Sequence, residues 1–249
     1  MERERAELPI LVRKWLELID YLGNDCLGGP RVVKAAHIIN FQKGGTLLFC
    51  IWLMRKSGNS SPTALTYTAL HGGYGLCWLL KELVFPDPKW QKRITLAGAL
   101  NMFITVLGPY WYIAYRAIMG RAERSGASLC GAAIAFLIGL VTMMCSDCQK
   151  YFVLKQRSGL ITDGFFSRIR HPNYLGEMII YGTFGFVSNS AASVGILAWV
   201  WVGLFLPFMA RKEASMSRHS EWAGYKNRTG FLWPSIFPFG RGHRLGTRA

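Results

Sequence analysis

Between Ala127 and Met144 the chain carries no charged residue. A run this long and this apolar is close to the roughly 20 residues that one helical crossing of a bilayer needs. Further apolar runs span Val32–Met54, Pro62–Val84, Ile94–Ile118, Leu175–Ser188 and Ala191–Ala210. Phe85-Pro86-Asp87-Pro88 gives the second of them a firm stop, and Gly108-Pro109 predicts a kink that neighbouring helices can tolerate. The expectation is an all-α, polytopic integral-membrane bundle of about six transmembrane helices. Met1–Glu7 alternates charges and does not resemble a cleavable signal, so insertion would use internal segments.

Only 17% of residues are charged, while 51% are hydrophobic, and the net charge is +15. Such an excess would point to nucleic acid if it formed one field, but the basic residues stand in short clusters between apolar runs. This pattern excludes nucleic acid and fits a membrane protein with basic connections. One cluster is Lys150, Lys155, Arg157, Arg168 and Arg170, read as a loop over residues 150–170. The other runs from Arg211 to Arg248. By the positive-inside rule both face the cytoplasm, although Arg116, Arg121 and Arg124 fall on the opposite side. Residues 1–31 form an amphipathic amino-terminal segment, in which Pro9–Leu22 suits either an interfacial helix or one packed on its neighbours. Residues 32–240 form the helical domain, and 241–249 a basic tail drawn to anionic membrane lipids.

The six cysteines include Cys145-x-x-Cys148, but there is no second pair at zinc spacing, so no metal is expected. The densest polar constellation runs from Ser146 to Glu177. Its Lys and Arg residues can neutralise phosphates, His171 and Asn173 can hydrogen-bond directionally, and Tyr174 can stack. Gly176 would let another surface approach the backbone, and Pro172 opens a helix whose start can face an anion. A basic loop on lipid headgroups would explain Lys and Arg alone. It would not explain Asp147 and Glu177, acidic groups at membrane edges where ionisable residues mark functional interiors.

Arg170–Glu177, RHPNYLGE, resembles the signature of the membrane reductases that include steroid 5-alpha-reductases, trans-2-enoyl-CoA reductases and sterol carbon-carbon double-bond reductases. Ser146–Phe152, SDCQKYF, resembles the Gln-Lys-x-x-Phe element upstream of it in sterol reductases, and Arg211–Pro234 continues the likeness, which is nearest to an uncharacterised branch. The resemblance implies a carboxy-terminal cofactor half, about residues 127–237, enclosing NADPH. By position, Asp147, Gln149 and Lys150 would bind it, with Arg170, His171, Asn173, Tyr174 and Glu177 continuing the site and Tyr225 closing it. Lys155 and Arg168 are companions for the phosphates. The endoplasmic reticulum is the implied location. Isoprenylcysteine and phospholipid methyltransferases share the architecture and an Arg-His-Pro-x-Tyr-x-Gly element, and bind S-adenosylmethionine there. Glu177 directly after Gly176, and the Gln149-Lys150 pair, favour the reductase.

Within Leu70–Glu82, the residues His71, Tyr74, Trp78 and Lys81 share one helical face, with Glu82 beside it. This is either a tight helix interface with a satisfied histidine or a water-accessible cavity. Reduction of a double bond beside a carbonyl needs an acid, for which Tyr74 is the first candidate, oriented by His71 or Glu82. His71 is followed by Gly72, where the resembled steroid reductases carry their catalytic tyrosine. The expected activity is NADPH-dependent reduction of a carbon-carbon double bond in a lipophilic substrate such as a sterol or enone. The alternatives are S-adenosylmethionine-dependent methylation and a non-catalytic lipid-binding protein. Asn101, Tyr110, Trp111, Tyr112 and Tyr115 suit an interfacial aromatic belt.

Overall fold

A computed structural model describes residues 8–235. The 241–249 tail and the last residues of the 127–237 half lie outside the described residues. The chain runs α1 (Ile10–Asp20), β1 (Arg31–Lys34), α2 (Ala35–Ser57), α3 (Pro62–Val84), β2 (Arg93–Thr95), α4 (Leu96–Ile118), α5 (Gly126–Gln156), α6 (Pro172–Ser188), α7 (Ala191–Met216) and α8 (Trp222–Arg228). The architecture is all-α, apart from the two-stranded antiparallel ribbon β1–β2.

Local chemistry sets the helix ends. The Ser61 hydroxyl accepts from Ala64 N–H with Pro62 in the first turn, Thr95 accepts from Gly98 N–H, and Ser125 accepts from Ser128 N–H. α2 ends on Gly58 at φ +62°, a left-handed position that glycine takes without strain. Wide turns at Phe103–Leu107 and Trp201–Phe205 interrupt α4 and α7, the first of them immediately before Gly108-Pro109, where a kink is expected.

Among the described residues, three helices are long and apolar enough to cross a membrane: α4, α5 and α7, with mean hydropathies of 1.3, 2.2 and 1.9. The other three expected crossings also coincide with helices. However, α2 and α3 direct polar residues inward, and α6 has only 17 residues. Leu48, Leu76, Leu80, Leu100, Ile138 and Val202 stand exposed on the outer helix faces, a perimeter that lipid would cover.

Several boundaries differ from expectation. Lys150 and Lys155 belong to α5, because no Gly or Pro interrupts the chain before Gly159; the loop occupies 157–171. Arg211 and Lys212 likewise belong to α7 rather than to a tail. Val32–Lys34 and Ile94–Thr95, read as the starts of helices, are strands, in keeping with their β-branched side chains.

The helices alternate in direction, and cross-links identify the two ends. Asn59 Nδ2 donates to Ile118 O, Arg121 to Ser57 O and Arg124 to Phe186 O, gathering the short turns at one end. At the other end, Asn101 donates to Leu22 O, Arg211 to Asp20 and Lys150 to Asp87. This second end, the loop end, carries α1, the 85–95 connection, the 157–171 loop and α8. The Arg116, Arg121 and Arg124 group lies at the opposite end, as expected.

Candidate functional site

Two glycine contacts create the interior. A Cβ on Gly75 would lie 2.1 Å from the Lys43 carbonyl oxygen, so α2 and α3 cross with backbones nearly touching. A Cβ on Gly176 would lie 2.6 Å from Gly139 O and from Met143 N, so α5 and α6 do the same. Gly176 thus does admit a close approach, and what approaches is α5. Together these crossings bring the His71–Lys81 face of α3 toward the Tyr174–Phe184 face of α6, with Lys43 between them.

Near the middle of the bundle, Tyr67 OH and His71 Nδ1 lie 3.0 Å apart, and the imidazole stacks on Phe184 at 4.3 Å. His71 Nε2 and the Tyr74 hydroxyl are buried without hydrogen-bond partners. Beside them Lys43, 3% exposed, donates to the Tyr181 hydroxyl. Its ammonium lies 4.5 Å from the Tyr74 ring centre, 4.8 Å from that of Tyr181 and 5.4 Å from those of Trp78 and Tyr110. Tyr110 is therefore interior, stacked on Tyr181 at 4.2 Å, and not part of a surface belt; Trp111 donates to Thr46. Glu177, half-buried, precedes Tyr181 by one helical turn.

Toward the loop end the polar track continues through ion pairs. Lys81 Nζ lies 3.3 Å from Asp147 Oδ2, and Lys150 Nζ bridges Asp147 at 3.4 Å and Asp87 at 3.2 Å. Lys81 and Asp147 are both buried. Burial alone would raise the Asp87 carboxyl, but Lys150 outweighs it and holds the group below the usual carboxylate range. These residues line a cleft of about 410 Å³ with Phe85, Tyr151 and Lys155. Outside that lining, toward α7, Lys89 Nζ lies 4.0 Å from the Phe208 ring centre and Lys212 Nζ 4.5 Å from that of Tyr174. Neither lysine forms an ion pair among the described residues. Lys212 lies within electrostatic reach of Lys89 and Lys150 and also of the Asp147 and Asp87 carboxylates.

A third group fastens the 157–171 loop to the carboxy-terminal segment. Arg170 donates to Glu213 at 2.9 Å and to the carbonyls of Lys226 and Thr229. Ile169 and Gly230 form a bridge. His171 Nε2 lies 3.0 Å from Glu213 Oε1, and burial pushes its imidazole below the ordinary value of 6.5, Glu213 opposing only in part. A neutral His171 therefore donates from Nε2 to the carboxylate. The Tyr225 hydroxyl donates to Phe166 O, and burial pushes that phenol up to about 12. Gln149 donates to Asp163 O and accepts from Phe165 N–H. Arg168 accepts from Gly230 N–H through its carbonyl.

The candidate residues are thus divided. Asp147, Lys150, Lys155, Tyr174 and Glu177 border the cleft and the track, whereas Gln149, Arg170, His171 and Tyr225 make their contacts within the protein. Asn173 lies in the first turn of α6. Glu82 does not orient Tyr74: it is eight positions along α3, about 12 Å of helix, and accepts from Gln91 at 2.5 Å. His71 is the nearer neighbour. The sequence reading missed Lys43, Tyr181, Lys89 and Lys212. Lys43 was visible only as a residue too polar for its helix. No cluster that could hold a metal occurs among the described residues.

No curated protein and no solved structure matches the chain. A family model does match, over residues 89–229, which take in α4 to α8, the α5 wall of the cleft and most of the clamp on the loop. The chain belongs to the family described as "Protein of unknown function (DUF1295)".

Proposed function

We propose that the protein is an NADPH-dependent membrane reductase of a carbon-carbon double bond in a lipophilic substrate, with the loop end in the cytoplasm, in the endoplasmic reticulum. The carrying observation is the polar track itself: a lysine-rich cleft on the loop end, and beyond it the buried Lys81–Asp147 ion pair and the unsatisfied His71 and Tyr74 groups of the interior. Charge at one end and unmet hydrogen bonds at the other suit a polyanionic nucleotide facing a lipid.

Lys89, Lys150, Lys155 and Lys212 would hold the phosphates, and Tyr174 offers a flat face beside them. The fit rests on the donors present: Lys89 and Lys212 make no ion pair of their own among the described residues, while Arg170 is occupied by Glu213, Lys226 and Thr229. Arg170, His171, Gln149 and Tyr225 would fix the wall of the site without gripping the nucleotide. When bound, NADPH would supply a hydride. The chain's own residues would exclude water, orient the substrate and provide the proton that completes reduction.

The test is nucleotide binding to detergent-purified protein, followed by energy transfer from tryptophan to NADPH. NADPH should bind, NADP+ should displace it, and S-adenosylmethionine should not. Lys212→Ala should weaken binding about tenfold, the effect of losing one charge-assisted hydrogen bond. Binding of S-adenosylmethionine alone would replace this reading with methyl transfer. Saturable binding of neither would leave a lipid-binding protein.

A further inference from the structure

Resting on that reading, we infer that Lys43 is the proton donor of the reaction, acting through the Tyr181 hydroxyl on the oxygen of a conjugated carbonyl lipid. Tyr74 and His71 shape the oxygen's site and do not themselves supply the proton.

The first observation is the cost of this lysine. It lies almost fully buried in a helix packed at backbone contact against α3, and no carboxylate stands within ion-pair distance among the described residues. A methionine would fill the same space without a charge, and buried charges are a poor means of stabilising a fold. Four aromatic faces surround the ammonium within 5.4 Å, which holds a cation in place without neutralising it.

The second is the direction of the hydrogen bonds. Lys43 donates to the Tyr181 oxygen, so the Tyr181 hydrogen is directed away from Lys43, toward the neighbouring Tyr74 hydroxyl. His71 Nε2, buried and unpartnered, and the Tyr74 hydroxyl, which has only the Tyr181 hydroxyl near it and no close hydrogen bond, stand in the same interior. A carbonyl oxygen would accept from Tyr74, and this interior contains the only such pair of unmet groups on neighbouring turns of one helix among the described residues.

The third is charge balance. Hydride addition to the carbon beta to the carbonyl leaves an enolate carrying one negative charge. Tyr181 passes its hydrogen to the enolate as the Lys43 ammonium passes a proton to Tyr181. The enol that forms relaxes to the ketone, and Lys43 ends as a neutral amine. Two opposite charges disappear in a low-dielectric interior. A tyrosine acting alone as the acid would instead leave a buried tyrosinate, and burial penalises that charge. Glu177, which acts on Lys43 electrostatically and lies partly buried one turn before Tyr181, returns the proton from the loop end.

The experiment uses cholest-4-en-3-one as the probe and cholest-4-ene as its carbonyl-free counterpart, both with the full chain in detergent. Quenching of tryptophan fluorescence reads binding, and NADPH oxidation reads turnover. Wild-type protein should bind the enone at least about tenfold more tightly than the hydrocarbon, because a site built to hydrogen-bond an oxygen rejects the analogue without one. Lys43→Met should remove that preference. Lys43→Arg keeps the cation but cannot release a proton at accessible pH, so it should retain the preference while losing turnover. Both variants should lower turnover by about a hundredfold or more, the usual contribution of a positioned acid, with the melting temperature retained. Ethylamine, but not guanidinium, should restore part of the turnover of Lys43→Ala. Lys43→Gln serves where methionine impairs folding.

Full turnover in Lys43→Met or in Lys43→Arg overturns the assignment, as does wild-type protein that binds both probes equally or neither. Lys43-dependent enone binding without NADPH oxidation overturns the reductase reading and leaves Lys43 as a carbonyl-binding residue.

Discussion

Arg170 donates to Glu213 and to two backbone carbonyls of the carboxy-terminal segment, so its removal leaves three acceptors without their donor. Arg170→Ala should destabilise the protein by about 3 kcal/mol, the lower end for breaking a buried pair, because His171 still faces Glu213. Melting of the nucleotide-free protein in detergent decides the matter: an arginine that only gripped a nucleotide would leave that melting unchanged. His171 adds a pH dependence. Its folded value lies below 6.5, so the unfolded chain takes up the proton at the higher pH. The stability from this group is complete above about pH 6.5 and is lost as the pH falls through the folded value, with a slope of at most about 1.4 kcal/mol per pH unit. The melting difference between wild type and His171→Asn should therefore narrow from about pH 7 to about pH 5. The polar residues at this scale were only half legible in the sequence. RHPNYLGE marked the right segment, but nothing local could tell that Arg170 faces the chain itself, since its partners lie 43 to 59 positions away.

At the scale of elements, contact between helices depends on where side chains are missing. Gly75→Ala and Gly176→Ala each place a carbon well inside van der Waals distance of a neighbouring backbone, and each should cost about 2 kcal/mol. Gly131→Ala, on the same helix as Gly139 but with nothing within 4 Å, should instead be neutral or slightly stabilising through helix propensity. Thermal melting of the three variants side by side checks the contrast, and equal losses would refute it. The helices themselves were legible: Pro62–Val84 coincides with α3, and apolar runs underlie the other long helices. The β1–β2 ribbon was not, because each strand is too short to show an alternating pattern and its pairing joins residues about sixty positions apart.

At the scale of the whole molecule, helix order collects α1, the 85–95 connection, the 157–171 loop and α8 at one end, with the lysine-rich cleft among them. The opposite end has short turns and its own basic group, Arg55, Lys56, Arg116, Arg121 and Arg124. In a cysteine-free background, a reporter cysteine at Ser158 should be labelled from the cytoplasmic side of sealed vesicles and one at Ser60 should not. The reverse pattern would place the lysine-rich cleft away from the cytoplasm and count against the proposed cofactor. Charge position separated the 150–170 basic cluster from the Arg116, Arg121 and Arg124 group, whereas Lys43 was hidden, since composition records a lysine without saying that four rings surround it.

The clamp on the 157–171 loop has a consequence for how the protein is made. Arg170 is synthesised 59 positions before Thr229, its partner, and Ile169 waits as long for Gly230. Until that segment is made, the loop is held only from the α5 side, by Gln149 at Asp163 and Phe165, and its far end can lock only after α8 has left the ribosome. The order of translation thus makes this latch the last contact of the loop to form. A chain released before Thr229 would insert its long helices and still lack the latch.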